Sequence, residues 1–119
     1  MFSDGTVFDQ DVGRWDTSRI TSMEDMFQGA NTFNQDISRW DTANSVSTST
    51  MFRRATAFDQ YIGDWDLSKV VKMNNMFSGA TLFNKNVSKW DTSKVRDSVI
   101  RSPIHLHLFL ACGLGYEDG

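Results

Sequence analysis

Residues 33–42 read FNQDISRWDT, and the same order of residue types occurs three more times along the chain. The other copies are FDQDVGRWDT from Phe8, FDQYIGDWDL from Phe58 and FNKNVSKWDT from Phe83. The tryptophans stand 25 residues apart, at positions 15, 40, 65 and 90. A period of roughly 20–50 residues is typical of repeat proteins, in which each unit buries its apolar face against the next unit. The sequence therefore predicts an array of about four coils of 25 residues each.

Each repeat divides into two segments that differ in the spacing of their apolar residues. In ITSMEDMFQGA, from Ile20, the apolar residues follow steps of three and four, and Gly29 stands near the expected end of a helix. In FNQDISRWDT the apolar residues lie among Asn and Asp, which favour turns, so a short extended segment with a corner at each end is expected. Extended segments of successive coils would pair as a parallel ladder. The predicted fold is an α/β repeat solenoid with one short helix and one extended segment in each coil.

Aromatic residues that recur at one phase of the period are expected to pack on one another from coil to coil. A large aromatic at such a position is more often a core side chain than a platform for a ligand. We therefore assign the repeated aromatics to the structural core. They are Trp15, Trp40, Trp65 and Trp90, together with Phe8, Phe33, Phe58 and Phe83.

The aspartates that follow the tryptophans are Asp16, Asp41, Asp66 and Asp91. One interpretation is a turn or a helix N-cap, in which the carboxylate accepts hydrogen bonds from backbone N–H groups. The other is repeated calcium ligation, which needs about six to eight oxygen ligands at one centre. The companion acids of the first two copies do not recur in the third and fourth. The turn or cap is the preferred interpretation, and no metal site is predicted.

The composition excludes several classes of function. The 119-residue chain has 12 Lys and Arg against 15 Asp and Glu, a net charge of −3, and no basic run that would follow a phosphate backbone. A nucleic-acid partner is therefore not expected. The single cysteine, Cys112, excludes an intramolecular disulfide and a cysteine-based zinc cluster. The longest apolar stretch, around residues 106–112, is too short to span a membrane, and the first residues do not resemble a secretion signal.

No group of residues in the sequence indicates catalysis. Both histidines lie outside the repeats, and no serine stands in a Gly-x-Ser-x-Gly context. His105 and His107 would share one face of an alternating segment and could supply two metal ligands, but no neighbouring acid or cysteine completes a site. We predict a non-enzymatic protein with no catalytic residue, no cofactor and no metal.

The pattern weakens in the second copy. Ser45 and Thr48 stand where the first copy has Ile20 and Met23. Val46 is expected to turn inward and to replace Ser45 in part, since buried hydroxyls without partners are costly. A tolerated weak coil and a gap that accommodates a ligand both remain open interpretations.

The repeated sequence motifs end near residue 97. Residues 98–119 contain the only proline and the only cysteine and share no motif with the coils. They are either a cap over the last coil or a disordered or unrelated segment. The chain thus divides into a solenoid at 1–97 and a non-repeat tail at 98–119. An uncovered coil at either end would lead to self-association through that end.

Two rows of polar side chains recur at fixed positions and form a candidate binding face. A solenoid offers such a face to a protein or glycan partner, although charged side chains that serve only solubility are also common. The alternative function is a structural spacer with no binding role of its own. The candidate residues are Arg14, Arg39, Asp64 and Lys89, and Gln10, Gln35, Gln60 and Lys85.

The word order of the repeat resembles that of a known family. A Trp-Asp pair, then Thr-Ser, a hydrophobic residue and Met-x-x-Met-Phe, as in residues 15–27, resembles the 25-residue repeat of bacterial surface proteins related to the BspA-like leucine-rich repeats. That repeat is abundant in mycoplasma lipoproteins, and the resemblance covers residues 1 to about 97. It implies a leucine-rich-repeat-like solenoid, a cell-surface or secreted location, and a role in adhesion or host interaction, with no catalytic residues.

Overall fold

The only strands in the described part of the chain lie after the repeats, and no helix is present there. A computed structural model describes residues 9–96, together with the backbone of two strands, β1 (Ile100–Arg101) and β2 (Tyr116–Glu117). These strands pair in parallel, with Ile100 opposite Tyr116. The predicted α/β solenoid, with a helix and a ladder strand in every coil, is therefore wrong. The rest of the predicted tail lies outside the described residues.

Tight turns replace the predicted helix, and their N–H groups donate alternately within a repeat and to the next one. The N–H groups of Gln28 and Ala30 donate to the carbonyls three residues before them, each at 3.1 Å. The N–H groups of Phe27 and Gly29, which alternate with them, each donate at 2.8 Å to the following repeat, to the carbonyls of Met51 and Arg53. An α-helix needs each interior N–H for the carbonyl four residues earlier. Because every second N–H is used between repeats, a helix cannot form here.

The backbone enters the left-handed region twice in each of the first three repeats, at positions four residues apart. Asp25 (φ 60°) and Gly29 (φ 72°) are the two positions in the first repeat. The sequence had suggested that Gly29 ends a helix. In the structure Gly29 instead lies in a turn. Asp, Asn and Gly tolerate this region better than other residues do. The second repeat departs from this rule, with Thr50 (φ 57°) and Arg54 (φ 61°).

The segment that the sequence predicted as an extended ladder strand is also built from turns. The N–H of Phe33 donates to the carbonyl of Ala30 at 3.2 Å, and the N–H of Trp40 donates to that of Ile37 at 3.1 Å. The repeats are joined by isolated parallel bridges elsewhere, in the segment predicted as a helix. The bridged pairs are Ser22 with Ser47 and Ser47 with Lys72.

Rows of parallel aromatic rings form the core and cross from one repeat to the next. The rings of Phe33 and Phe58 lie 6.0 Å apart with an interplanar angle of 7°. The rings of Trp40 and Trp65 lie 6.4 Å apart at 4°. Both tryptophans are only 4% exposed, whereas Trp15 is 48% exposed and departs from the predicted burial. A third row consists of Phe27, Phe52 and Phe77. Phe83 stacks on Phe58 and extends the first row, and Trp90 is also buried. Phe8 lies outside the described residues.

The second repeat buries polar side chains where its neighbours bury apolar ones. Ser45 and Thr48 are fully buried. Val46 is 43% exposed, so the expectation that it turns inward is wrong. The Ser45 hydroxyl donates to the carbonyl of Ser47 at 3.3 Å. The Thr48 hydroxyl has no hydrogen-bond partner in the described part of the chain.

Candidate binding site

The glutamine and lysine row of the candidate face joins one repeat to the next. The side-chain amide of Gln35 donates to Asp9 Oδ1 at 2.9 Å, and that of Gln60 donates to Asn34 Oδ1 at 3.1 Å. Lys85 continues the row with a salt bridge of 3.6 Å to Asp59. Gln10 is exposed at the start of the row. Three of the four members are therefore engaged in holding repeats together.

The partners of that row form a ladder that the sequence analysis missed. Asp9 Oδ1 accepts the backbone N–H of Asn34 at 3.0 Å, and Asn34 Oδ1 accepts that of Asp59 at 2.9 Å. Asp59 Oδ1 in turn accepts the N–H of Asn84 at 3.0 Å. The side-chain oxygen of each Asp or Asn thus accepts the backbone N–H that a carbonyl would accept in a β-ladder. The signal was present in the sequence, because Asp or Asn follows the repeated phenylalanine in all four copies.

The buried tryptophans also link repeats through their polar edge. The indole N–H of Trp40 donates to the carbonyl of Val12 at 2.9 Å, 28 residues earlier. The indoles of Trp65 and Trp90 make the same bond, to the carbonyls of Ile37 and Ile62, at 3.1 Å and 3.0 Å. A buried indole needs such an acceptor. These three tryptophans therefore have a structural role and offer no platform for a ligand.

The four aspartates after the tryptophans form exposed turns. Each carboxylate accepts the backbone N–H two residues later, at 3.0–3.1 Å, in the pairs Asp16 with Ser18, Asp41 with Ala43, Asp66 with Ser68 and Asp91 with Ser93. Hydrogen bonds from the serine hydroxyl and then from its N–H hold the pKa of the carboxyl below 3.8 in the first, third and fourth pairs. No helix follows in the described residues, so these bonds form turns and not N-caps.

The second row of the candidate face divides into two unlike halves. Asp64 and Lys89 form a salt bridge of 3.3 Å, and the Tyr61 hydroxyl donates to the same aspartate at 3.2 Å. The hydrogen bond and the charge of Asp64 raise the pKa of Lys89. Arg14 and Arg39, at the equivalent positions of the first two repeats, form no salt bridge with a described residue. This half of the row keeps its cationic groups available.

Arg14 and Arg39 line an open depression of about 260 Å³ between the first and second repeats, together with Asp11, Gly13 and Asp36. Gly13 lets the backbones of the two repeats approach closely, because a Cβ atom there would lie 2.4 Å from the carbonyl oxygen of Asp36. Asp11 Oδ1 accepts the N–H of Gly13 at 3.0 Å. The depression is thus lined by four charged side chains and one glycine.

Asp36 is held as a carboxylate at the edge of the depression. Its Oδ1 accepts the N–H of Ser38 at 2.9 Å. The hydroxyl and then the N–H of Ser38 lower the pKa of Asp36, burial opposes them with a smaller effect, and the charge of Arg39 makes the smallest contribution, again lowering the pKa. The group is therefore ionised at neutral pH and can only accept hydrogen bonds.

The described residues hold no group of three or more His, Cys, Asp or Glu side chains placed to bind a metal ion. His105 and His107, the histidines considered as metal ligands, lie outside the described residues. Nor does the described part of the chain contain a helix long and apolar enough to cross a membrane.

Comparison with known families identifies the repeat region. The model of the family described as "Mycoplasma protein of unknown function, DUF285" matches residues 1–100. The chain therefore belongs to this family. Comparisons with curated proteins and with solved structures gave no match.

Proposed function

We propose that this member of the DUF285 family is a non-enzymatic binding module of a cell-surface protein, with a protein or a glycan as its partner. The surface location and the kinship with BspA-like lipoprotein repeats are parts of the same proposal. They are supported by the family match over the repeats and by the word order of residues 15–27.

One observation favours binding over a purely structural role. Most polar side chains of the two rows bond to a neighbouring repeat, but Arg14 and Arg39 remain beside an open depression without a salt bridge to a described residue. A guanidinium presents five N–H donors in a rigid fork and is suited to recognition of carboxylates and other oxygen-rich groups. A spacer would have no need of such a pair at a concave surface.

A binding assay on the whole chain separates the two functions. The chain is applied to a glycan array and to a panel of purified cell-surface proteins, beside the double variant Arg14→Gln and Arg39→Gln. We expect binding that the double variant loses. The variant Lys89→Gln is the matched control, because Lys89 has the equivalent position but already pairs with Asp64. Absence of binding to both panels would favour the spacer.

A further inference from the structure

The four charged side chains of the depression occur together only between the first two repeats. The positions equivalent to Asp11 and Asp36 are Tyr61 and Asn86 in the later repeats, and those equivalent to the two arginines are Asp64 and Lys89. In the later repeats the charges pair with each other, at 3.3 Å. The first two repeats instead place two guanidinium groups and two carboxylates around one concavity.

The two kinds of charged group need different partners from a ligand. The guanidinium groups of Arg14 and Arg39 donate hydrogen bonds and pair with an oxyanion such as a carboxylate through two parallel N–H···O bonds. The carboxylates of Asp11 and Asp36 accept hydrogen bonds, and each uses Oδ1 for a backbone N–H of its own turn. Their Oδ2 atoms can therefore accept hydrogen bonds from a ligand.

A ligand that meets both needs carries a carboxylate and several hydroxyl groups. Inorganic phosphate also accepts paired hydrogen bonds from guanidinium groups, but it brings more negative charge towards the two aspartates and no ring of hydroxyl donors. A neutral sugar would leave both guanidinium groups without an anion. An acidic peptide segment brings carboxylates, but it does not bring a ring of hydroxyl donors. The chemistry of the site favours an acidic sugar over each of these.

The size of the depression fits one sugar residue at the end or within a longer glycan. Its volume of about 260 Å³ lies just below the roughly 300–1,000 Å³ of pockets that enclose a whole small molecule. The site is open, so a glycan chain can extend from it. Binding of one residue in such a site is expected to be weak and to gain strength from the remainder of the chain.

We infer that this depression is a subsite for a carboxylate-bearing sugar, in which Arg14 and Arg39 bind the sugar carboxylate and Asp11 and Asp36 accept its hydroxyl groups. The inference rests on the proposed binding function and names the ligand class for it. The second and third repeats offer no equivalent subsite, because Asp64 stands at the position of the arginines.

The test is an NMR titration of the ¹⁵N-labelled whole chain with single sugars. Free glucuronic acid and N-acetylneuraminic acid are the probes, glucose is the neutral control and inorganic phosphate is the anion control. We expect saturable shifts of the amides of Gly13 and Ser38 with at least one acidic sugar. Glucose and phosphate should leave these amides unchanged at the same concentration.

Two variants distinguish binding at this site from general attraction of anions. Arg39→Gln should weaken acidic-sugar binding about tenfold or more, whereas the matched Lys89→Gln should leave it unchanged. Asp36→Asn should weaken acidic-sugar binding, because it removes a hydrogen-bond acceptor, and it should allow phosphate to shift these amides, because it removes a negative charge. The dispersion of the amide spectrum shows whether each variant is folded.

The outcomes separate this inference from the proposed function. If both acidic sugars fail to shift these amides, or phosphate shifts them as strongly, the inference is wrong. The proposed function would still stand if the glycan array or the protein panel showed binding that depends on the arginines. Acidic-sugar binding unaffected by Arg39→Gln would also overturn the subsite.

Discussion

Thr48 carries a buried hydroxyl that no described residue satisfies, and its replacement by valine should stabilise the fold. The side chain is fully buried, and its Oγ1 has no hydrogen-bond partner among the described residues. Valine has nearly the same shape, so Thr48→Val removes the polar atom without opening a cavity. Burial of an unsatisfied hydroxyl costs about 1–3 kcal/mol. We therefore expect the free energy of unfolding to rise by about 1–3 kcal/mol.

A second threonine supplies the matched control. Thr42 is equally buried, but its hydroxyl donates to the carbonyl of Asp66 in the next repeat at 3.0 Å. Thr42→Val should therefore lower the free energy of unfolding, by about 0.5–1.5 kcal/mol. The two substitutions are chemically identical and differ only in whether the hydroxyl is bonded. Opposite signs are the expected result.

Urea and thermal unfolding measure both changes. A change of 1 kcal/mol corresponds to a shift of roughly 4 °C or more in Tm for a domain of this size. The m-value should stay constant, since neither variant alters the surface exposed on unfolding. If Thr48→Val is destabilising, its hydroxyl has a partner and the reasoning about the weak second repeat is refuted.

Three further predictions concern the backbone, the core and the aspartate turns. Arg54→Gly should stabilise the fold by about 1 kcal/mol in urea unfolding, because Arg54 is left-handed (φ 61°) where glycine stands at 29 and 79; an unchanged or lower stability would argue against that conformation. Trp65→Ala should cost about 3–5 kcal/mol and Trp15→Ala clearly less, since their exposed fractions are 4% and 48%; equal costs would contradict the burial. Ser68→Ala should return the lowered pKa of Asp66 towards 3.8 in an NMR titration of the carboxyl. The ionised carboxylate of Asp66 stabilises the turn above pH 3.8, and this stabilisation is lost as the pH falls through the lowered pKa. In the variant the pKa is less lowered, so the stabilisation should be lost at a higher pH. An unshifted titration would exclude the serine as the cause.

The repeat period carried much information about packing but little about the backbone. Alignment at 25 residues places Phe33 with Phe58, and their rings do lie 6.0 Å apart. The same alignment could not reveal that the N–H of Phe27 donates to the next repeat, because that bond depends on how two backbones meet. Apolar steps of three and four arise in successive turns as well as in a helix. This spacing of apolar residues therefore could not distinguish a helix from successive turns, and the prediction of a helix was wrong.

The left-handed turns could have been predicted from the sequence, whereas the difference within the polar row could not. Asp25 and Gly29, four residues apart, recur as Asn75 and Gly79, and such residues at fixed phase indicate left-handed turns and not a helix. The arginines of the candidate site were visible as a row. Their difference from Lys89 was not, since it depends on the salt bridge to Asp64.

Backbone hydrogen bonds join the repeats and replace the helix expected from the sequence. Through-hydrogen-bond scalar couplings, measured by NMR on ¹³C,¹⁵N-labelled protein, test this arrangement directly. We predict a coupling between the amide nitrogen of Phe27 and the carbonyl carbon of Met51, whose N···O distance is 2.8 Å. A coupling of the same amide to the carbonyl of Met23, four residues earlier, would show a helix and would contradict this account.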